Sequence, residues 1–122
     1  MIKQLLLVGL GGGVGSMLRY LISLRVCPQS VFPFATFAVN ISGCFLIGLF
    51  VGLLERYSIF GNDTRLLLVV GFCGGYTTFS TFSAENIKLL QSGNVLTAVA
   101  YTLLSVGLGV LALWGGNELA EI

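Results

Sequence analysis

The stretch Gly74-Gly75-Tyr76-Thr77-Thr78-Phe79-Ser80-Thr81-Phe82-Ser83 gathers the groups in this sequence best suited to handling an ion. Two glycines precede five hydroxyl residues within positions 77–83. Both residue types weaken a helix, glycine through entropy and hydroxyls by competing for backbone hydrogen bonds. A helix interrupted here frees carbonyls, which suit a cation, or restarting amides, which suit an anion. A kinked helix whose hydroxyls bond back to their own carbonyls is the inert alternative. Phe79 and Phe82 are three apart and share a helical face, with Ser80 and Ser83 as a neighbouring stripe. Aromatic rings carry a positive edge, so ring edges beside hydroxyl donors can coordinate a small anion. On spacing alone, lipid or core packing is the simpler explanation of the two rings.

Other polar residues stand where apolar ones are expected. Asn40 lies deep in an apolar run, with Thr36 one turn before it. Its amide can donate two hydrogen bonds, as a clamp between helices or as a donor on an ion path. Tyr101, Ser105 and Gly109 are spaced by four and form either a polar track or a packing face. Arg19 can snorkel, cap a helix end or draw anions into a vestibule. Glu85 lies one turn beyond Phe82 with Lys88 three residues on, and a local ion pair or a solvated rim is the simple reading. Cys27, Cys44 and Cys73 come without histidine and without a CxxC, which argues against zinc, haem or a disulfide framework. They read as small hydrophobes.

The elements that position these residues follow from where charge is missing. The 122-residue chain is 56% hydrophobic and 9% charged, more apolar than a soluble domain of this size can bury. Uncharged runs of 15, 29, 19 and 29 residues separate Lys3 from Arg19, Arg25 from Glu55, Arg65 from Glu85 and Lys88 from Glu118. A helical crossing needs about 20 apolar residues. Four spans fit, at 3–24, 34–55, 65–91 and 95–115, and a fifth does not. The first is read as a retained span rather than a signal peptide, because glycines fill its centre and no small-residue cleavage site follows. A net charge of +1 argues against nucleic acid. Gly11-Gly12-Gly13-Val14-Gly15 fits neither GxGxxG nor a Walker loop and has no preceding strand, so no nucleotide site is expected.

Four spans place both termini on one side. That side carries Lys3, Arg56 and Arg65, and the other carries Arg19, Arg25 and Lys88, three against three. An excess of Lys and Arg normally sets orientation, and here there is none. Insertion both ways up and pairing as an antiparallel dimer are therefore expected. Gly9/Gly13, Gly11/Gly15, Gly48/Gly52, Gly71/Gly75 and Ser105/Gly109 are small pairs four apart that offer close-packing faces.

The stretch from Gly71 to Glu85 closely resembles the signature of the Fluc (CrcB) fluoride channel family. Gly12-Gly-Val-Gly-Ser-Met-Leu-Arg19-Tyr resembles that family's first-span glycine run, and Phe34-Ala-Thr-Phe-Ala-Val-Asn40 its second-span GTLxVN motif. Ala35 stands where the family has glycine, and Tyr76 where it often has leucine. The resemblance implies an all-α membrane protein with four transmembrane helices per subunit, a break in the third, and an antiparallel dual-topology homodimer. It implies two pores that export fluoride passively across a bacterial inner membrane, with no enzymatic step. Phe79 and Phe82 would line the pores, Asn40 would donate to the ion, and Ser80, Thr81, Ser83, Tyr101 and Ser105 would add hydroxyl contacts. Backbone carbonyls of Gly74 and Thr77 would hold a sodium ion on the twofold axis. Arg19 would belong to the vestibule and Glu85 to a pore end. The rival is a proton-coupled exporter of the small multidrug resistance type. Such a protein needs a carboxylate deep in span one, where this sequence has only Arg19.

Overall fold

Inside a lipid bilayer every backbone polar group must be paired within the protein, so an apolar chain crosses it as helix or closed barrel. The computed structural model describes residues 1–58 and 61–122, and every regular element among them is helical. Ile59 and Phe60, in the loop between the second and third spans, lie outside the described residues. Among the described residues, four helices are long and apolar enough to cross a membrane: Ile2–Arg25, Phe34–Arg56, Asn62–Gln91 and Val95–Ala120.

The first two are α1 (Ile2–Arg25) and α2 (Phe34–Arg56), each ending on an arginine in its last turn. Pro33 stands immediately before α2, where its missing N–H costs nothing. The third crossing has two parts. Its first part, α3, runs through Asn62–Arg65, a π-helical stretch Leu66–Cys73 and a last turn Gly74–Tyr76. Thr77 (φ −82°, ψ 155°) and Thr78 (φ −150°, ψ 116°) are extended, and helix resumes as α4 (Phe79–Gln91). Gly93, at φ 84°, makes the tight turn into α5 (Val95–Ala120). Its amide and that of Asn94 bond back to the Leu90 and Leu89 carbonyls, closing the end of α4.

The helices pack as two pairs, α1 with α3 and α2 with α5. Glycines let the backbones touch. A Cβ at Gly15 would run into the Phe72 carbonyl, and one at Gly116 into the Phe45 carbonyl. Gly11 and Gly48 meet the Leu67 and Leu113 carbonyls in the same way. Such close approach replaces the hydrophobic drive that lipid cannot supply between helices. Gly9 and Gly13, expected as a packing pair, have nothing within 4 Å and face away from the described helices.

The buried core is small. Leu89, Ala98 and Tyr101 form a cluster, with Phe32, Phe37 and Phe82 packed against it. Large side chains such as Leu96 (82% exposed) and Val110 (66% exposed) lie on the outside. An apolar surface on that scale is covered by lipid or by another protein.

Candidate ion-binding groove

The site is built around the two residues that leave the helix. When α3 stops at Tyr76, the Thr77 amide keeps its helical bond to Cys73, while the Thr77 carbonyl and both peptide groups of Thr78 lose their helical partners. Asn40 of α2 takes up both groups of Thr78: its Oδ1 accepts from the Thr78 amide at 2.8 Å, and its Nδ2 donates to the Thr78 carbonyl at 3.1 Å. The Thr78 hydroxyl caps the restart by accepting from the Thr81 amide at 3.1 Å. Thr77 turns back, with its amide and its hydroxyl both donating to the Cys73 carbonyl at 2.9 Å.

The carbonyl end of α3 is held from α1. Arg19 Nε donates to the Gly75 carbonyl at 3.2 Å, and Ser16 Oγ to the same oxygen at 3.4 Å. A cation at a helix C-terminus is favourable against the helix dipole. Among the described residues, no hydrogen bond reaches the carbonyls of Gly74 or Thr77.

These features border an open groove of about 280 Å³ lined by Asn40, Cys44, Thr78, Phe79, Phe82 and Ser105. The Phe79 and Phe82 rings lie 5.9 Å apart, and Phe79 is 79% exposed. Phe82 leans on the Tyr101 ring at 4.9 Å. Among the described residues, Ser105 Oγ is buried without a hydrogen-bond partner. A buried hydroxyl without a partner is costly, and one at a groove is available to a ligand or to water.

Glu85 lies beyond the groove and accepts two hydroxyl hydrogen bonds, from Thr36 Oγ1 and from Tyr101 OH, both at 2.9 Å. Tyr101 is fully buried, so its ring carries a polar link from α5 through the core to α4.

A family model described as CrcB-like protein, Camphor Resistance (CrcB), matches residues 6–117. The chain belongs to the CrcB family. The resemblance read from the three sequence motifs is thereby borne out. A relative from Flavobacterium psychrophilum, named fluoride-specific ion channel FluC, is 50% identical over 98% of both chains. One of the same name from Phocaeicola vulgatus is 50% identical, over 98% of this chain and 99% of its own. Another, from Ignicoccus hospitalis, is 42% identical over 98% and 96%.

In this CrcB chain the structure brings together Asn40, Thr77, Phe79, Phe82 and Ser105, which come from α2, α4, α5 and the extended pair that precedes α4. Ser80 and Thr81 lie beside Glu85 and Lys88 along another open hollow, with Ser80 Oγ 3.3 Å from Thr78 Oγ1. Ser83 sits apart, in an apolar groove between α4 and α5 with Phe82, Asn86 and Thr102. Arg19 stands apart on α1, bonded to the Gly75 carbonyl, and Gly74 is exposed. Gly109 is buried against Cys44 and Ile41, so that part of the Tyr101–Ser105–Gly109 face packs on α2.

The sequence offered Lys88 as a local partner for Glu85. The structure turns Glu85 inward instead, and the ion pair among the described residues is Lys3 with Asp63 at 2.7 Å. Thr36 was visible only as a neighbour of Asn40. The signal for its contact was that Thr36 and Tyr101 carry hydroxyls in apolar helices, and Glu85 is a carboxylate in need of donors. Nothing in residue spacing pointed to the Gly75 carbonyl as the partner of Arg19.

Proposed function

We propose that this chain is a fluoride-selective ion channel that lets cytoplasmic fluoride leave passively, down its electrochemical gradient. The observation that carries this is likeness over nearly the whole chain to proteins named fluoride-specific ion channels. The groove supplies suitable chemistry. Fluoride is small and strongly hydrated, so a path for it must replace water with several good donors in a narrow space. Asn40 keeps a second amide hydrogen beyond the one given to Thr78, and Ser105 has an uncommitted hydroxyl. The edges of Phe79 and Phe82 add positive electrostatic potential without a full charge. Several moderate contacts in a row let the ion leave again, which conduction requires. No covalent step is involved, and the protein is a channel rather than an enzyme.

The working unit in this reading is an antiparallel homodimer with two pores, each shared between copies. Its support is the balanced charge on the two sides of the membrane, the open groove, and Phe79, whose 79% exposure leaves it to be covered from outside the chain. The interruption at Thr77 and Thr78 then serves the pore, with Ser80, Thr81, Ser83 and Tyr101 as further hydroxyl contacts, Arg19 at the vestibule and Glu85 near a pore end. A sodium ion fits the same picture. Gly74 is exposed, and its carbonyl and that of Thr77 are left without hydrogen bonds among the described residues. Carbonyl oxygens readily replace the hydration shell of an alkali cation. Two from each subunit would hold it, and its charge would offset the cost of an anion at low dielectric. The setting is a bacterial inner membrane. The small multidrug resistance reading has no support, because α1 holds no carboxylate and the family likeness lies elsewhere.

The test is growth. Expressed in a bacterium that lacks fluoride export, the chain restores growth in fluoride medium. Continued sensitivity, with the protein present in the membrane, overturns the proposal.

A further inference from the structure

Tyr76 is the last helical residue before the extended pair, and its side chain is nearly buried at 6% exposure. The ring needs no hydroxyl to pack, because it stacks on Phe72 at 5.6 Å with 10° between the planes. The hydroxyl nevertheless has one partner, Ser42 Oγ of α2, at 2.9 Å. The direction of that bond follows from proton counting. Ser42 has one hydroxyl hydrogen and gives it to the Val39 carbonyl at 3.2 Å. Tyr76 therefore donates, and a chain of two hydrogen bonds runs from the end of α3 to the backbone of α2.

Ser42 lies two residues after Asn40, which holds the backbone of Thr78. The segment 76–78 is thus tied to α2 at both ends. Gly43 makes room for this: a Cβ there would meet Cγ2 of Thr77 and lie 3.1 Å from the Tyr76 ring. Arg19 and Ser16 hold the Gly75 carbonyl from the α1 side, but on the α2 side the Asn40 clamp alone leaves the segment free to turn about one side chain. A second tie removes that freedom. Asn40, Thr77 and Thr78 all line the groove, so movement of this segment changes its width.

We infer that Tyr76 and Ser42 act as a positioning pair for the Thr77–Thr78 segment, holding the groove narrow enough to prefer fluoride over a larger halide. This rests on the fluoride-channel reading above. It assigns neither residue a contact with the ion.

The test uses the full chain reconstituted in liposomes, with fluoride and chloride efflux measured for wild type, Tyr76→Phe, Ser42→Ala and the double variant at equal protein density. Each single variant lowers the fluoride-to-chloride rate ratio by roughly 3-fold or more, the scale of one neutral hydrogen bond. The double variant falls no further than the lower single, because the two hydroxyls act as one unit. A pair that serves only to stabilise the fold lowers resistance to unfolding and leaves the ratio untouched, which overturns the inference. Independent, multiplying losses in the double variant overturn it as well. Wild-type liposomes that release no fluoride overturn the channel reading and this inference with it, whereas wild-type ratios in the variants overturn this inference alone.

Discussion

Replacing Asn40 by alanine removes both hydrogen bonds that hold the Thr78 peptide groups, at 2.8 and 3.1 Å. A neutral hydrogen bond contributes about 0.5–1.5 kcal/mol net, so the two together contribute about 1–3 kcal/mol. The larger cost of orphaned buried groups does not apply in full, because the groove is open and water can reach the freed amide and carbonyl. With 1.4 kcal/mol to a factor of ten, the unfolding equilibrium shifts by roughly 5- to 150-fold. The flux falls further than stability predicts, since the same side chain supplies a donor to the groove. Two assays on one preparation separate the effects: unfolding in mixed micelles of rising SDS fraction, and fluoride efflux from liposomes. Asn40→Ala should lose about 1–3 kcal/mol in the first and at least about tenfold in rate in the second. A stability change below about 0.5 kcal/mol together with unaltered efflux refutes the role given to this clamp.

Phe82→Ile keeps an apolar side chain but removes the ring edge that meets Phe79 and Tyr101. Fluoride efflux drops strongly while size-exclusion elution stays the same, and unchanged efflux takes this ring off the path. Gly116→Leu forces α2 and α5 apart, because any Cβ there meets the Phe45 carbonyl, whereas Gly115→Leu meets nothing within 4 Å. The first abolishes the yield of monodisperse protein and the second does not, and equal yields contradict the glycine packing. Cys27 is exposed in the loop between α1 and α2, opposite the termini, while Cys73 is buried. A membrane-impermeant thiol reagent applied to intact cells labels only part of Cys27, and the remainder becomes reactive on permeabilisation. All-or-none labelling excludes insertion in both orientations.

Much of the architecture was legible because lipid punishes charge so heavily. Runs without charge between Lys3 and Arg19, or between Arg25 and Glu55, leave few places for a helix to begin or end. Glycines four apart pointed to backbone contact, and Gly11, Gly15, Gly48 and Gly71 make it. The same spacing at Gly9 and Gly13 meets no neighbour, since periodicity defines a face and not what lies opposite. The polar stretch 74–83 stood out by composition alone. Its partners did not, because they come from far along the chain: Asn40 is 38 residues from Thr78, and Arg19 is 56 from Gly75. Glu85 shows the limit most clearly. Lys88 satisfied it on paper within one helix, while the folded chain supplies hydroxyls from Thr36 and Tyr101. Tyr76 looked like a bulkier substitute in an apolar place, and only the position of Ser42 reveals a use for its hydroxyl.

The most direct measurement is halide release from liposomes containing only the purified chain, with potassium and valinomycin carrying the balancing charge. The account predicts rapid release of fluoride and scarcely any of chloride. Release of both ions at similar rates, or of neither, contradicts it.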